Sequence, residues 1–195
     1  MLVGLDGPYS SCHSVEVKIS TTATASGLKS AVQVAPGLAM PRLVTVRVED
    51  CNGYDVEVDV APQDGRLAAV EVRVSQRSGG PAVTGEGLRS VPVAALTKHA
   101  ARHVLTYQEK DGYTEMSPRV LTPEMLEDIR DAGPTRKTLE WVAYLYRVAV
   151  LMGEPPTKAV ETAIRLPRST AGRWVSLARQ EGHLGPAEGP GKAGV

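Results

Sequence analysis

The feature that most restricts the fold is a pair of amphipathic segments within residues 155–179, separated by only three residues. Pro155 and Pro156 prevent a preceding helix from continuing and suit the start of a new one. Apolar residues recur at helical spacing in both segments: Ala159, Val160, Ala163 and Ile164 in the first, and Ala171, Trp174, Val175 and Ala178 in the second. We therefore predict a short helix over about 157–164, a tight turn at 165–167, and a second helix from about residue 168.

A further helix is predicted just before this pair. One face carries apolar residues at helical spacing: Leu139, Val142, Leu145, Tyr146, Ala149 and Met152. The helix should begin at Thr135 or Thr138 and end before Gly153, which favours a helix stop. Residues 135–184 are therefore expected to form an all-α domain.

The face of the last helix opposite its apolar residues is rich in Arg, Ser and Gly. Guanidinium groups match the acceptors of guanine, and short hydroxyl or basic groups near helix N-termini suit phosphate. Gly172 would leave room for the close approach of a base. We predict a DNA-binding surface made of nine residues: Thr157, Lys158, Arg168, Ser169, Thr170, Gly172, Arg173, Ser176 and Arg179.

Residues 160–179 resemble the helix-turn-helix of bacterial transcription regulators and recombinases. The resemblance lies in the pair Val160 and Ala163, in Leu166 within the turn, and in the start Arg168-Ser169-Thr170. Residues 135–184 as a whole are similar to C-terminal modules of actinobacterial and actinophage proteins. The resemblance implies a DNA-binding module.

Two positions in the turn depart from the pattern of that family. Arg165 stands where glycine is common, so its backbone is either left-handed and strained or ordinary in a turn of different shape. Pro167 stands where a capping Ser or Thr is common, and proline is well tolerated at a helix start.

The N-terminal part predicts an antiparallel β-meander, because apolar and polar residues alternate over 14–20, 43–49, 54–60 and 69–75. Asn52-Gly53 suggests a two-residue turn, but that turn would pair Val48 with Glu57. A three-residue loop, 51–53, pairs Asp50 with Tyr54 and joins the apolar rows, and we prefer this register. A further turn is expected at 62–65.

A helix over about 90–107, with Ser90 as its N-cap, is expected to cover the apolar face of this sheet. His99 and His103 lie four residues apart on it, but no Glu follows His99 and no other ligand completes a set. We therefore expect no metal site. A short helix capped by Thr122 is expected to run to Asp131.

The predicted class is α+β: an N-terminal antiparallel β-meander covered by a helix, then a C-terminal all-α helix-turn-helix domain. The predicted division is a β-rich domain at 1–107, a linker with a short helix at 108–134, the helix-turn-helix domain at 135–184, and a disordered tail at 185–195. Residues 1–134 hold 13 Lys and Arg against 17 Asp and Glu, and residues 135–195 hold 9 against 5. This asymmetry fits a DNA-binding module joined to a part that does not touch DNA.

Several classes of protein do not fit the sequence. It has no run of about 18 apolar residues, and Cys12 and Cys51 have no metal-ligand spacing. Its first seven residues have neither the basic nor the apolar region of a signal peptide, so we expect none. We expect a cytoplasmic protein with no membrane partner and two free thiols. The sequence contains no nucleophile elbow, no phosphate-binding glycine loop and no set of metal ligands. We therefore expect no enzyme, no catalytic residue and no cofactor.

The function expected from these patterns is that of a sequence-specific, repressor-like transcriptional regulator that binds double-stranded DNA as a homodimer. One alternative is a DNA-binding accessory factor in recombination, plasmid or phage maintenance, which would use the same helix. Another is a non-enzymatic protein-interaction adaptor.

Overall fold

The computed structural model describes residues 17–20, 31–107 and 121–186. The strands are β1 (Val17–Ser20), β2 (Ala31–Ala35), β3 (Leu38–Pro41), β4 (Val44–Cys51), β5 (Tyr54–Gln63), β6 (Arg66–Gln76) and β7 (Thr106–Tyr107). The helices are α1 (Gly85–Arg89), α2 (Val93–Val104), α3 (Pro123–Asp131), α4 (Arg136–Leu151), α5 (Pro156–Ile164) and α6 (Arg168–Gln180). The protein is α+β, as predicted: the antiparallel strands lie within residues 17–107, and α3 to α6 follow them.

Four of the strands form one sheet in the order β1-β4-β5-β6. In the central pair, β4 and β5, Val48 lies opposite Val56, as predicted. The same alternation pairs the other valines, Val46 with Val58 and Val44 with Val60. All six side chains are buried, so they form the core along this face of the sheet.

The end of this hairpin differs from the predicted three-residue loop that pairs Asp50 with Tyr54. Cys51 pairs with Tyr54, so the loop consists of Asn52 and Gly53 alone, with φ angles of 55° and 86°. Asn-Gly suits such a turn because both of its central residues need positive φ.

A β-bulge reconciles this short loop with the pairing of the valines. Just before the loop, β4 places Glu49 and Asp50 opposite Asp55 alone. Asp50 has a positive φ of 62°, and its carboxylate accepts a hydrogen bond from the Gly53 N–H at 3.1 Å. The extra residue shifts the alternation by one position, which keeps the valine rows together despite the two-residue turn.

The other sheet was not predicted from the sequence and has the order β2-β3-β7. Pro36 and Gly37, with a φ of 72° at the glycine, join β2 to β3. In β7, Tyr107 pairs with Leu38 and Thr106 pairs with Ala39. The prediction that a helix continues to Tyr107 is therefore wrong, because pairing with a strand distant in sequence overrides the local helical spacing.

The prediction that Ser90 starts a helix is also wrong. Ser90 ends α1, and its hydroxyl donates to the Gly87 carbonyl at 2.7 Å. Thr84 is the N-cap of α1 and accepts a hydrogen bond from the Gly87 N–H at 3.1 Å. The longer helix, α2, begins only at Val93 and buries Leu96, Ala100 and Ala101.

The described chain divides into two compact units. One holds residues 17–20, 41–61 and 68–103, with the four-stranded sheet, α1 and α2. The other holds 31–40, 62–67, 104–107 and 121–186, with the three-stranded sheet and the C-terminal helices. The predicted domain boundaries stay a prediction, and residues 108–120 of the linker and 187–195 of the tail lie outside the described residues.

The C-terminal helices begin where the sequence predicts. Thr122 caps α3 and Thr135 caps α4, each accepting a hydrogen bond from the N–H three residues later at 3.3 Å. Helix α4 packs against α5 and α6, these two pack against each other, and α3 packs against α4 and α5. Their shared core is built mostly from Leu139, Val142, Ala143, Tyr146, Val160, Ile164, Ala171, Trp174, Val175 and Ala178.

Among residues 17–20, 31–107 and 121–186, none of the helices is long and apolar enough to cross a membrane. In the same residues, no three His, Cys, Asp or Glu side chains lie together so as to hold a metal ion. His99 is half-buried, and the side chain of His103 lies outside the described part of the chain.

Candidate nucleic-acid interface

Helix α5 is anchored to the core through one face. Val160 and Ile164 are buried, while Ala159 and Ala163 beside them are half-buried. Pro156 occupies the first turn, and Pro155 precedes it without supplying a side-chain cap. The apolar spacing read from the sequence thus matches the buried face of this helix.

The turn between α5 and α6 reverses the chain through a left-handed residue. Arg165 has φ 56° and ψ 43°, so the first of the two predicted alternatives, a strained left-handed arginine, is what the structure shows. The next residue, Leu166, is buried and donates its N–H to the Glu161 carbonyl at 3.0 Å. A side chain at such a position costs about 1–2 kcal/mol, a cost that glycine avoids.

Helix α6 starts directly after Pro167, which has no side chain able to cap it. The N–H groups of the first helical turn have no partners within a helix, and Pro167 supplies none from its side chain. Such N–H groups, at the positive end of the helix dipole, suit an anion such as phosphate.

The two faces of α6 differ sharply in character. Ala171, Trp174, Val175 and Ala178 are buried, as predicted. On the other side Arg168, Ser169, Arg173 and Ser176 are exposed, with Thr170 and Gly172 half-buried at the margin. The helix contains no Asp or Glu. Its outer face therefore carries positive charge and hydrogen-bond donors without a compensating carboxylate on the same helix.

Gly172 lies in the middle of α6 with open space above it. A Cβ built at this position meets no described atom within 4 Å apart from its chain neighbours and the backbone of its own helix. Glycine inside a helix costs about 1 kcal/mol relative to alanine. Packing within the described residues therefore does not require a glycine here.

Arg179 has a different environment from the other predicted residues. Its Nη2 donates to the Tyr146 hydroxyl at 2.7 Å, and its Nε donates to the Gly185 carbonyl at 3.2 Å. The guanidinium thus joins α6 to α4 and to the chain that follows α6. These contacts assign Arg179 a structural part, and no spacing in the sequence indicated its partner.

The start of α5 carries the two remaining predicted residues. Lys158 is exposed, and its Nζ lies 2.5 Å from the Glu161 carboxylate. Thr157 is half-buried. The carboxylate of Glu161 offsets the charge of Lys158, although an exposed ion pair of this kind is worth little and exchanges readily for another partner.

Arg165 is a cation that the sequence-based set omitted. Its side chain is 74% exposed, and its closest ionic contact in the described residues is Glu127, at 3.9 Å. The left-handed turn places this arginine between the end of α5 and the start of α6. The signal for it in the sequence is its position three residues before Arg168.

No protein-family model, curated protein or solved structure matches the chain. The resemblance of residues 160–179 to helix-turn-helix proteins therefore stays a sequence-based interpretation.

Proposed function

We propose that the protein is a sequence-specific DNA-binding transcriptional regulator, repressor-like in action, that uses α6 to read double-stranded DNA. The observation that carries this proposal is the outer face of α6. Arg168, Ser169, Arg173 and Ser176 are exposed there on a helix without acidic residues, while the opposite face is buried in the core.

The physical fit is to the major groove. An α-helix fits into this groove, and its N-terminal side chains meet the edges of the bases. Arg168 and Arg173 can each donate two hydrogen bonds to one guanine, a contact worth about 1–3 kcal/mol of discrimination. Gly172 lies beside Arg173 and removes the side chain that would hold the helix away from the bases.

Phosphate contacts would set the orientation of the helix. The open N-terminus of α6, the hydroxyls of Ser169 and Thr170, and the start of α5 with Thr157 and Lys158 are groups that commonly bind phosphate. Arg165 adds a cation between the two helices. Contacts of this kind supply affinity for any sequence, whereas the arginines of α6 supply preference.

A homodimer in the cytoplasm completes the proposal. One helix-turn-helix unit binds weakly, and joining two units lets two half-sites be bound together. The two copies of α6 would then enter successive major grooves, ~34 Å apart.

The experiment is selection of bound duplexes from a random-sequence pool, followed by footprinting and a salt titration. We expect one enriched site, protected from cleavage, and binding that weakens with a log–log slope of about −0.9 for each neutralised phosphate. Binding without any enriched site would contradict the regulator and favour an accessory factor. Absence of DNA binding, or binding insensitive to salt, would favour a protein-interaction adaptor.

A further inference from the structure

The four-stranded sheet ends in a long strand, β6. Strand β6 lies at its end, spans 11 residues, and has no strand on its outer side among the residues that the structure describes. Proline, one protection of edge strands, is missing from β6, and the charged residues in its middle are of opposite sign, Glu71 and Arg73. Its unpaired backbone groups therefore form a template for another strand.

The contacts of Arg73 identify the residues of β6 that lie on the polar face of the sheet. Arg73 donates to the Glu57 carboxylate at 2.5 Å, and Arg47 donates to the same carboxylate at 2.6 Å. Arg73 therefore lies on the polar face, and so does Glu71, two residues before it. Successive side chains alternate between faces, so the valines of β6 lie on the face of the buried valine rows.

The valines of β6 are much more exposed than those of its neighbour. Val70 and Val72 are 43% and 42% exposed, whereas the valines of β5 are at most 1% exposed. The apolar row of the sheet thus continues to its edge and ends without a cover. A further strand placed beside β6 would bury these side chains.

The sequence of β6 is complementary to itself when two copies run antiparallel. If a two-fold axis passes through Val72, each Val70 lies opposite Val74 and each Glu71 lies opposite Arg73 of the other copy. Opposite charges facing each other across strands are stabilising, and like charges are destabilising. An axis through Glu71 or through Arg73 would place two like charges opposite each other.

We infer that a second copy of this chain pairs antiparallel with β6, in the register centred on Val72, and joins two four-stranded sheets into one. The interface is isologous, so it closes at two subunits. It supplies the dimer included in the proposed function. The inference rests on that proposal only for its biological role, because its test uses no DNA.

The test is charge reversal in the full-length chain, measured by sedimentation equilibrium. Glu71→Arg and Arg73→Glu each turn both cross-strand pairs into like charges, so each should weaken dimerisation by on the order of 10-fold or more. An equimolar mixture of the two variants should recover the affinity of the wild-type dimer, because in a mixed dimer each cross-strand pair again joins an arginine to a glutamate. The matched controls are Glu86→Arg and Arg89→Glu on α1, both exposed, which should change nothing.

Two outcomes would overturn the inference. One is a wild-type chain that stays monomeric at high protein concentration, which would leave the edge to a strand from a different protein. The other is a dimer whose affinity the two charge reversals do not change. The same holds if both variants keep the wild-type thermal transition but their mixture does not recover the dimer affinity.

Cross-linking gives a second measurement that keeps the wild-type charges. Val72→Cys should be joined to its copy by a short thiol-specific cross-linker, since the two residues face each other at the axis. Val83→Cys, similarly exposed but outside β6, serves as the control and should not be joined. Equal cross-linking of both variants would contradict the register. Failure of DNA binding would not affect either measurement, and a monomer would not affect the proposal for α6.

Discussion

The guanidinium of Arg179 lies over the ring of Tyr146, 5.0 Å from its centroid, while Nη2 donates to the Tyr146 hydroxyl at 2.7 Å. One residue is on α6 and the other on α4, so this pair connects the candidate DNA-reading helix to the helix that supports it. It also removes Arg179 from the group of exposed cations that the sequence placed on the outer face of α6.

Replacing Arg179 should therefore affect stability first. Arg179→Ala is expected to lower the free energy of unfolding by about 1–3 kcal/mol, because it removes a charged hydrogen bond and the cation–ring contact together. Chemical denaturation of the full chain measures this. Arg173→Ala, an exposed position on the same helix, is the control and should stay within about 0.5 kcal/mol of the wild type. Similar losses from both substitutions would contradict the structural part assigned to Arg179.

Replacing Arg165 by glycine should stabilise the protein. Glycine removes the strain of a left-handed residue with a side chain, but it also raises the entropy of the unfolded chain, which offsets part of this effect. The free energy of unfolding should therefore rise by about 0.5–1 kcal/mol. Arg165→Ala is the control because it removes the charge and keeps the strain. If Arg165→Gly were less stable than Arg165→Ala, the left-handed conformation would not be the source of strain. In DNA binding, both variants should lose affinity by similar amounts.

Gly172→Ala should raise the stability of the protein and lower its affinity for DNA. The added methyl group meets open space and improves helix propensity, so the free energy of unfolding should rise by up to about 1 kcal/mol. If a base approaches this position, DNA affinity should nevertheless fall, by about 1–3 kcal/mol, the size of one base contact. Gln180 is exposed at the end of the same helix, and Gln180→Ala should leave DNA affinity unchanged. Unchanged affinity in Gly172→Ala would show that the glycine does not contact DNA.

Arg173 and Lys158 should differ in the kind of affinity they supply. Arg173→Ala is expected to weaken binding to the selected site by about 1–3 kcal/mol and to affect non-specific binding less. Lys158→Ala should weaken both alike and reduce the salt slope by about one. Titrations of each variant with the selected duplex and a scrambled duplex measure the difference. Equal effects on the two duplexes from both variants would mean that Arg173 contacts phosphate alone.

Local patterns in the sequence predicted the parts of this fold that depend on neighbours along the chain. The two-residue period located β4, β5 and β6, and the 3.6-residue period located α4, α5 and α6. The threonines before α3 and α4 marked the starts of those helices, because a capping hydroxyl acts over three residues. For the candidate site, the exposure of Arg168, Ser169, Arg173 and Ser176 on α6 follows from its apolar spacing alone.

The remaining features depend on contacts between residues far apart in sequence, and the tertiary structure alone decided them. The bulge at Glu49 and Asp50 is defined by the pairing of β4 with β5. Thr106–Tyr107 forms a strand only because β3 pairs with it. The left-handed backbone of Arg165 is set by how α5 and α6 pack together. The same is true of Arg179, whose exposure by helical spacing is overridden by a hydrogen bond to a tyrosine 33 residues earlier. The helical and strand periods show which side of an element is apolar. Which distant residues come into contact depends on how the elements pack in three dimensions.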